Sequence, residues 1–252
     1  MIRRLWNRQH ATVCEPQAPE GVRIYAIGDL HGEAGLLLEM MHRIGDEIED
    51  SDVSDIRLIF LGDLIDRGEN SRVLLESLFR LRHDKLIVLK GNHEATMVDG
   101  YRGNDTAFRF WLEYGGLPTL RSFGIAAAGE VFPDPLRLRD EMRQHIDPAL
   151  IDWLDELPLS HVEGDYLFVH AGIRPGRELE EQTEEDMLWM REPFLSSTVN
   201  HGKVVIHGHT VCEDGVVLGQ NRIGIDTGAY EHGCLTALAL QGDDQWTISV
   251  QA

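Results

Sequence analysis

The sequence predicts an α/β layered fold whose polar loops gather at the C-terminal ends of its strands. Two observations carry this. Three times before residue 95, an apolar strand runs into a short polar loop, and each time a segment read as helical follows. Each of those strands also ends in a small residue followed by carboxylate, imidazole or amide side chains, as in Gly28-Asp29-Leu30-His31-Gly32. In an α/β sheet such ends lie side by side, so residues far apart in sequence meet in one pocket.

The elements follow in order. Residues 1–20 read as an arm, with mixed polarity and no period. Val22–Gly28 reads as a buried strand, and Leu37, Met41, Ile44 and Ile48 then recur at helical spacing. Ile56–Leu61 is a second strand. Ser71–Arg82 is a second helix, with Leu75, Leu78 and Leu81 or Arg82 on its apolar face. Lys85–Leu89 is a third strand, closed by Gly91-Asn92-His93-Glu94. Residues 95–158 read as mostly helical, with a break at Gly115-Gly116. Strands return at Tyr166–Val169, Lys203–Ile206, Arg222–Ile225, Leu235–Leu240 and Gln245–Val250. No repeat and no long linker divides the chain, so residues 21–252 are expected to form one catalytic domain.

Composition excludes several function classes. The 252 residues are 42% hydrophobic and 26% charged, which fits a folded protein with a large core. A net charge of −20 repels phosphate backbones, so no nucleic-acid partner is expected, while a small phosphorylated substrate stays open. Cys14, Cys212 and Cys234 form no CxxC pair, which argues against a disulfide framework or a thiolate zinc site. The basic N-terminus lacks the apolar stretch of a signal peptide, and no run approaches the roughly 20 residues of a membrane span. A cytoplasmic protein with no membrane partner is expected.

The chemistry sits at five strand ends. Beside Asp29 and His31, the second end supplies Gly62-Asp63-Leu64-Ile65-Asp66-Arg67-Gly68 and the third supplies Asn92 and His93. Two later strands end in Val169-His170-Ala171-Gly172 and Ile206-His207-Gly208-His209. Any one of these alone reads as a capped turn with a surface histidine. Five in order, each at a strand end, make a mixed nitrogen and oxygen ligand set suited to Mn, Fe or Zn.

This ordered set resembles the metallophosphoesterases of calcineurin type, and within them the bacterial branch of the phosphoprotein phosphatase family. The pattern GDxHG, GDxxDRG, GNHE, a strand-terminal His and a late GH is met by Gly28–Gly32, Gly62–Gly68, Gly91–Glu94, His170 and Gly208–His209. Trp111–Leu120, His170–Pro175 and Leu188–Phe194 also look like bacterial members. The resemblance implies a four-layer αββα sandwich of two mixed β-sheets flanked by helices. It implies two divalent metal ions, Mn²⁺ foremost. Asp29 and His31 would bind the first, Asp63 both, and Asn92, His170 and His209 the second. It further implies His93 as general acid oriented by Asp66, and Arg67 with Arg191 as the phosphate clamp, with Arg174 the rival for the second place. Direct in-line attack by a hydroxide held between the metals would then release phosphate.

The implied activity is hydrolysis of phosphoserine and phosphothreonine in proteins. The alternative is hydrolysis of a small phosphoanhydride or phosphoester, as in the related symmetrical diadenosine tetraphosphatases, which share the same motifs. A nuclease of the same superfamily is disfavoured by Val211, where a GHxH motif would carry a second histidine. A scaffold without metals is disfavoured by the intact ligand set. Other conspicuous residues get plainer readings. Trp111, Trp153 and Trp189 are expected in packing, and Glu178–Asp186 as a solvated helix face. His207 is read equally as a support for the site or as core, and Tyr230 and His232 as residues that could overhang the site. Leu64 replaces a tyrosine common in the family, and Asp226–Tyr230 stands where the eukaryotic enzymes carry a tyrosine-cysteine element.

Overall fold

Alternation along the first strand shows how the layers arise. In β1 (Val22–Ile27) every position is buried. Ile24 and Ala26 point into one apolar cluster, and Tyr25 and Ile27 into another on the opposite face. A strand buried on both faces belongs in the middle of a sheet, between two further layers. The computed structural model describes residues 15–125 and 134–252, and in it β1 occupies that central place.

The remaining strands are β2 (Asp55–Phe60), β3 (Leu86–Val88), β4 (Ser160–Glu163), β5 (Tyr166–Val169), β6 (Val204–His207), β7 (Val217–Leu218), β8 (Arg222–Gly224), β9 (Cys234–Gln241) and β10 (Asp244–Gln251). They form two five-stranded mixed sheets, ordered β10-β9-β1-β2-β3 and β4-β5-β6-β8-β7. In the first sheet β1, β2 and β3 run parallel, and in the second β5, β6 and β8 do. Parallel neighbours put their C-terminal ends on the same edge, which brings the five polar loops together. The edge strands β4 and β7 were not expected from sequence. Three of the four residues in Ser-His-Val-Glu are polar, and two residues are too few to show a period.

Three apolar clusters hold four layers. Ile24, Ile59, Leu61 and Leu238 of the first sheet meet Phe168, Ile206 and Ile223 of the second. The outer face of the first sheet packs on helices α1 (Ala34–Glu49), α2 (Ser71–Leu81), α3 (Asn92–Arg102), α4 (Asp105–Trp111), α5 (Leu117–Ser122), α6 (Pro135–His145) and α7 (Pro148–Asp155). The outer face of the second carries α8 (Glu184–Trp189) and the segment around it, through Met187, Met190 and Phe194. A short helix, α9 (Ala229–His232), precedes β9. The αββα sandwich is therefore the observed architecture.

Two helix faces differ from expectation. In α1 the buried stripe is Leu36, Met40 and Ile44, with Leu37, Met41 and Ile48 on its half-buried flank. Apolar residues at both 36–40–44 and 37–41–48 leave two stripes available, and packing on β9 and β10 selects between them. In α2, Leu74, Leu75 and Leu78 are buried, while Leu81 at the helix end is 63% exposed. The run Glu178–Asp186 is no single helix face: a 3-10 turn at Leu179–Glu181 precedes α8, and Asp186 is buried under Arg174 and Arg177.

Most of the arm expected over residues 1–20 lies outside the described residues. Its last part bridges both sheets at the end opposite the polar loops. Ala18 N–H donates to Gly242 O in the β9–β10 turn, while Gln17 O accepts from Asp165 N–H in the β4–β5 turn. Among the described residues, no helix is long and apolar enough to cross a membrane.

Candidate active site

The loops after β1 and β2 are stitched to each other by backbone. Asp63 O accepts from Leu30 N–H (3.0 Å) and His31 N–H (2.8 Å), and Gly68 N–H donates to His31 O (3.0 Å). Glu94, fully buried on α3, joins the third loop to them. Its carboxylate accepts from the backbone N–H groups of Gly91 (2.9 Å), Asp63 (2.9 Å) and Leu64 (2.8 Å).

These turns are tight. Among the described residues, five non-glycine residues have positive φ: His31, Asp63, Asp66, Arg67 and His209. All five are residues singled out from sequence. Left-handed backbone at a side chain bearing chemistry is strain that the surrounding contacts must hold in place. Gly208 serves closeness instead: a Cβ there would lie 2.0 Å from Asp29 Oδ1.

Asp63 is the hub. His170 Nε2 lies 3.5 Å from its Oδ2, His31 Nε2 3.6 Å and His93 Nε2 4.0 Å. Its ligand-type atoms gather in two groups, one with His31 and His93 and one with His170 and His209. Burial would raise the Asp63 carboxyl, but the imidazoles of His170, His93, His31 and His209 hold it well below the usual range. Burial lowers His31 and His209 to about 3 each and His170 downward too.

The donor set fits divalent cations. His170 Nδ1 donates to Leu61 O (2.9 Å), which turns Nε2 toward the hub. That nitrogen faces Asn92 Oδ1 at 2.9 Å and Asp63 Oδ2 at 3.5 Å. His31 Nδ1 is committed to Ile65 O in the same way (2.9 Å). Asp29 Oδ1 is buried with no donor, while Oδ2 accepts from His209 N–H (3.0 Å). Burial, then the charges of Asp226 and Asp63, push the Asp29 carboxyl well above its ordinary range. Acceptors packed this way call for positive charge.

A cleft of about 250 Å³ opens above the hub. His31, Asp63, Arg67, Asn92, His93, Arg191 and His209 line it, whereas Asp29, Asp66 and His170 lie buried behind. Arg67 reaches His31 Nε2 (2.9 Å) and His93 Nε2 (3.4 Å). Arg174 is elsewhere, bound to Asp186 (2.6 Å). His93 Nδ1 lies 2.6 Å from Asp66 Oδ2. Burial alone would lower His93, but the carboxylates of Asp63 and Asp66 raise it to about 9, making it a cation at neutral pH.

Some residues differ from the plain reading. Trp189 is 40% exposed on the cleft wall, with Phe110 and Tyr114, instead of packed away. Trp111 is buried, but its Nε1 also donates to Asp66. Trp153 does pack, against Phe79. His207 faces Arg222 (3.0 Å) and Phe194 and does not line the cleft, nor do Tyr230 and His232. Sequence reading passed over Asp226, a carboxylate buried beside Asp29 and raised to about 6 by burial. Nothing in its segment's spacing marks it.

The chain is similar to known proteins. The chain is 28% identical over 227 residues to serine/threonine-protein phosphatase 2 of Escherichia coli, covering 84% of this chain and 90% of that one. It is 33% identical over 155 residues to the symmetrical bis(5'-nucleosyl)-tetraphosphatase of Aromatoleum aromaticum, covering 61% of this chain. The match spans only 45% of that relative's length. A solved protein serine/threonine phosphatase from Saccharomyces cerevisiae superposes with a TM-score of 0.58 at 17% identity, over 94% of this chain and 84% of that one, a likeness of fold. The family model for calcineurin-like phosphoesterases matches residues 22–225, from β1 through the last cleft-facing loop. The chain therefore belongs to the calcineurin-like phosphoesterase family.

Proposed function

We propose that the chain is a phosphomonoesterase acting on phosphoserine and phosphothreonine in proteins. Asp29, His31 and Asp63 would hold one divalent cation, and Asp63, Asn92, His170 and His209 a second, Mn²⁺ first among candidates. Such a pair supplies a water acidic enough to attack at neutral pH and neutralises phosphate charge. Arg67 and Arg191, both on the cleft, orient the phosphoryl oxygens with charge-assisted hydrogen bonds. As water oxygen bonds to phosphorus and the ester oxygen departs, the His93 proton goes to that oxygen. Alcohol and phosphate leave.

One observation carries this choice of substrate: the likeness to the Escherichia coli phosphatase runs over 84% of this chain and 90% of that one, against 61% and 45% for the tetraphosphatase, and His93, backed by Asp66 at 2.6 Å on the wall of the cleft, offers the acid. A serine alkoxide is a very basic leaving group and needs such an acid. A nucleoside diphosphate leaves more easily and needs it less.

A second reading, symmetrical cleavage of a dinucleoside tetraphosphate, is favoured by the aromatic wall. Phe110, Tyr114 and Trp189 are each more than a third exposed, and Phe110 stacks on Tyr114 at 4.2 Å. Such a face accepts a nucleobase. Metal-loaded protein assayed on a phosphoserine peptide panel and on diadenosine tetraphosphate separates the two. The proposal expects the higher kcat/KM on a phosphopeptide. Inert phosphopeptides beside rapid release of ADP would establish the second reading.

A further inference from the structure

The strand-end loops do not hold the His93–Asp66 pair by themselves. Asp66 is fully buried, and its backbone sits at φ 75°. Its Oδ2 accepts from His93 Nδ1 (2.6 Å) and also from Trp111 Nε1 (2.7 Å). Its Oδ1 accepts from the Thr119 hydroxyl (2.6 Å), and its own N–H donates back to Thr119 Oγ1 (2.9 Å). Both partners come from the helical excursion α4–α5, which kinks at Gly115 (φ 124°) and returns. At that kink Gly115 O accepts from Arg67 N–H (3.0 Å).

A carboxylate joined to one imidazole can rotate about its Cβ–Cγ bond. Here each oxygen is pinned by a donor from the excursion, so the plane of the carboxylate is fixed, and with it the direction in which the His93 ring is held. We propose that Trp111 and Thr119 are positioning residues of the hydrolytic reaction. Through Asp66 they aim the His93 Nε2–H at the leaving oxygen. This rests on His93 being the acid, as set out under Proposed function. Neither residue touches substrate through these bonds: Thr119 is fully buried, and the Trp111 N–H is spent on Asp66.

The test uses four variants of the full, metal-loaded chain, each checked for metal content and circular dichroism. Trp111→Phe keeps an aromatic, though smaller, side chain and removes the N–H. Thr119→Val keeps the shape and removes the hydroxyl, Thr119→Ser restores the hydroxyl, and His93→Asn removes the acid. Each is assayed for kcat and KM on a phosphoserine peptide and on p-nitrophenyl phosphate, whose leaving group needs little proton. A well-placed acid is worth on the order of 10²–10⁴, so misaiming it should cost about tenfold or more in kcat on the peptide. Trp111→Phe and Thr119→Val should show that loss with KM steady and only about a twofold loss on p-nitrophenyl phosphate. Thr119→Ser should recover the peptide rate. The inference is overturned if Thr119→Ser is as damaged as Thr119→Val, or if the losses on the two substrates are equal while His93→Asn keeps its asymmetry. If His93→Asn itself hits both substrates alike, the acid assignment falls and takes this inference with it.

Discussion

Gly208→Ala tests the hub with the smallest possible change. Gly208 does not have positive φ, so alanine suits its backbone and the only demand is space. The new Cβ would stand 2.0 Å from Asp29 Oδ1, and its other near contacts are atoms of the same carboxylate. Restoring ordinary contact near 3.4 Å requires Oδ1 to retreat by about 1.4 Å. Asp29 is 2% exposed and bound through Oδ2 to His209 N–H, so it cannot swing away without losing that bond. Displaced supports and ligands cost about 10–100-fold in metal affinity, about 1.4–2.8 kcal/mol. The variant should therefore fold, bind one Mn²⁺ much more weakly than the other, and need a raised Mn²⁺ concentration for half-maximal turnover. Metal stoichiometry after dialysis and activation curves read both quantities. Two ions retained with wild-type affinity would show that Asp29 is not a ligand and that the Gly208 contact is only packing.

Three further outcomes are expected. Asp63→Asn should abolish activity and lower metal content to one ion or none, and excess chelator should silence the wild type; activity that survives chelator refutes the metal reading. Arg67→Ala should lower kcat/KM by about 10²-fold through both kcat and KM. Arg191→Ala should act in the same direction more weakly, and Arg174→Ala should leave turnover unchanged because that guanidinium is held by Asp186. Asp186→Asn should cost about 1 kcal/mol in urea unfolding at pH 7, a small figure because Arg174 and Arg177 are partly exposed. Burial raises the Asp186 carboxyl, but Arg174 and the Thr183 contacts overrule it and hold it low. Its contribution is therefore complete above the unfolded value near 3.9 and fades as pH falls below that. The wild type and Asp186→Asn should converge as pH falls through the lowered folded value of this carboxyl, and a difference that persists once it is protonated contradicts the assignment.

Much of this was legible because the informative residues are local. A strand that ends in glycine and then aspartate, as two do here, announces both a turn and a ligand, and five polar strand ends on parallel neighbours must meet. What stayed hidden depends on contacts between distant segments. Trp111 and Thr119 read as packing and as a helix residue because their partner, Asp66, lies 45 and 53 positions away. The exposure of Trp189 depends on where α8 rests on the second sheet. In α1 two apolar stripes compete, and the choice between them lies in β9 and β10. Arg191 and Arg174 are equally basic in sequence, and only the buried Asp186 tells them apart.

The two proposed cations do not relate to the sandwich in the same way. Asp29, His31 and Asp63 all follow strands of the first sheet, so the cation they hold would be internal to one layer. The other would be shared across layers, with Asp63 and Asn92 from the first sheet and His170 and His209 from the second. It would act as a rivet at the mouth of the sandwich. The far end is already fastened by backbone, where Gln17 and Ala18 clasp the β4–β5 and β9–β10 turns. Glu94 locks Asp63 and the Asn92 loop into one body, so loosening at the mouth must come by the sheets parting, with His170 and His209 moving away together. The metal that the two sheets share would then tie the layers together as well as serve the chemistry.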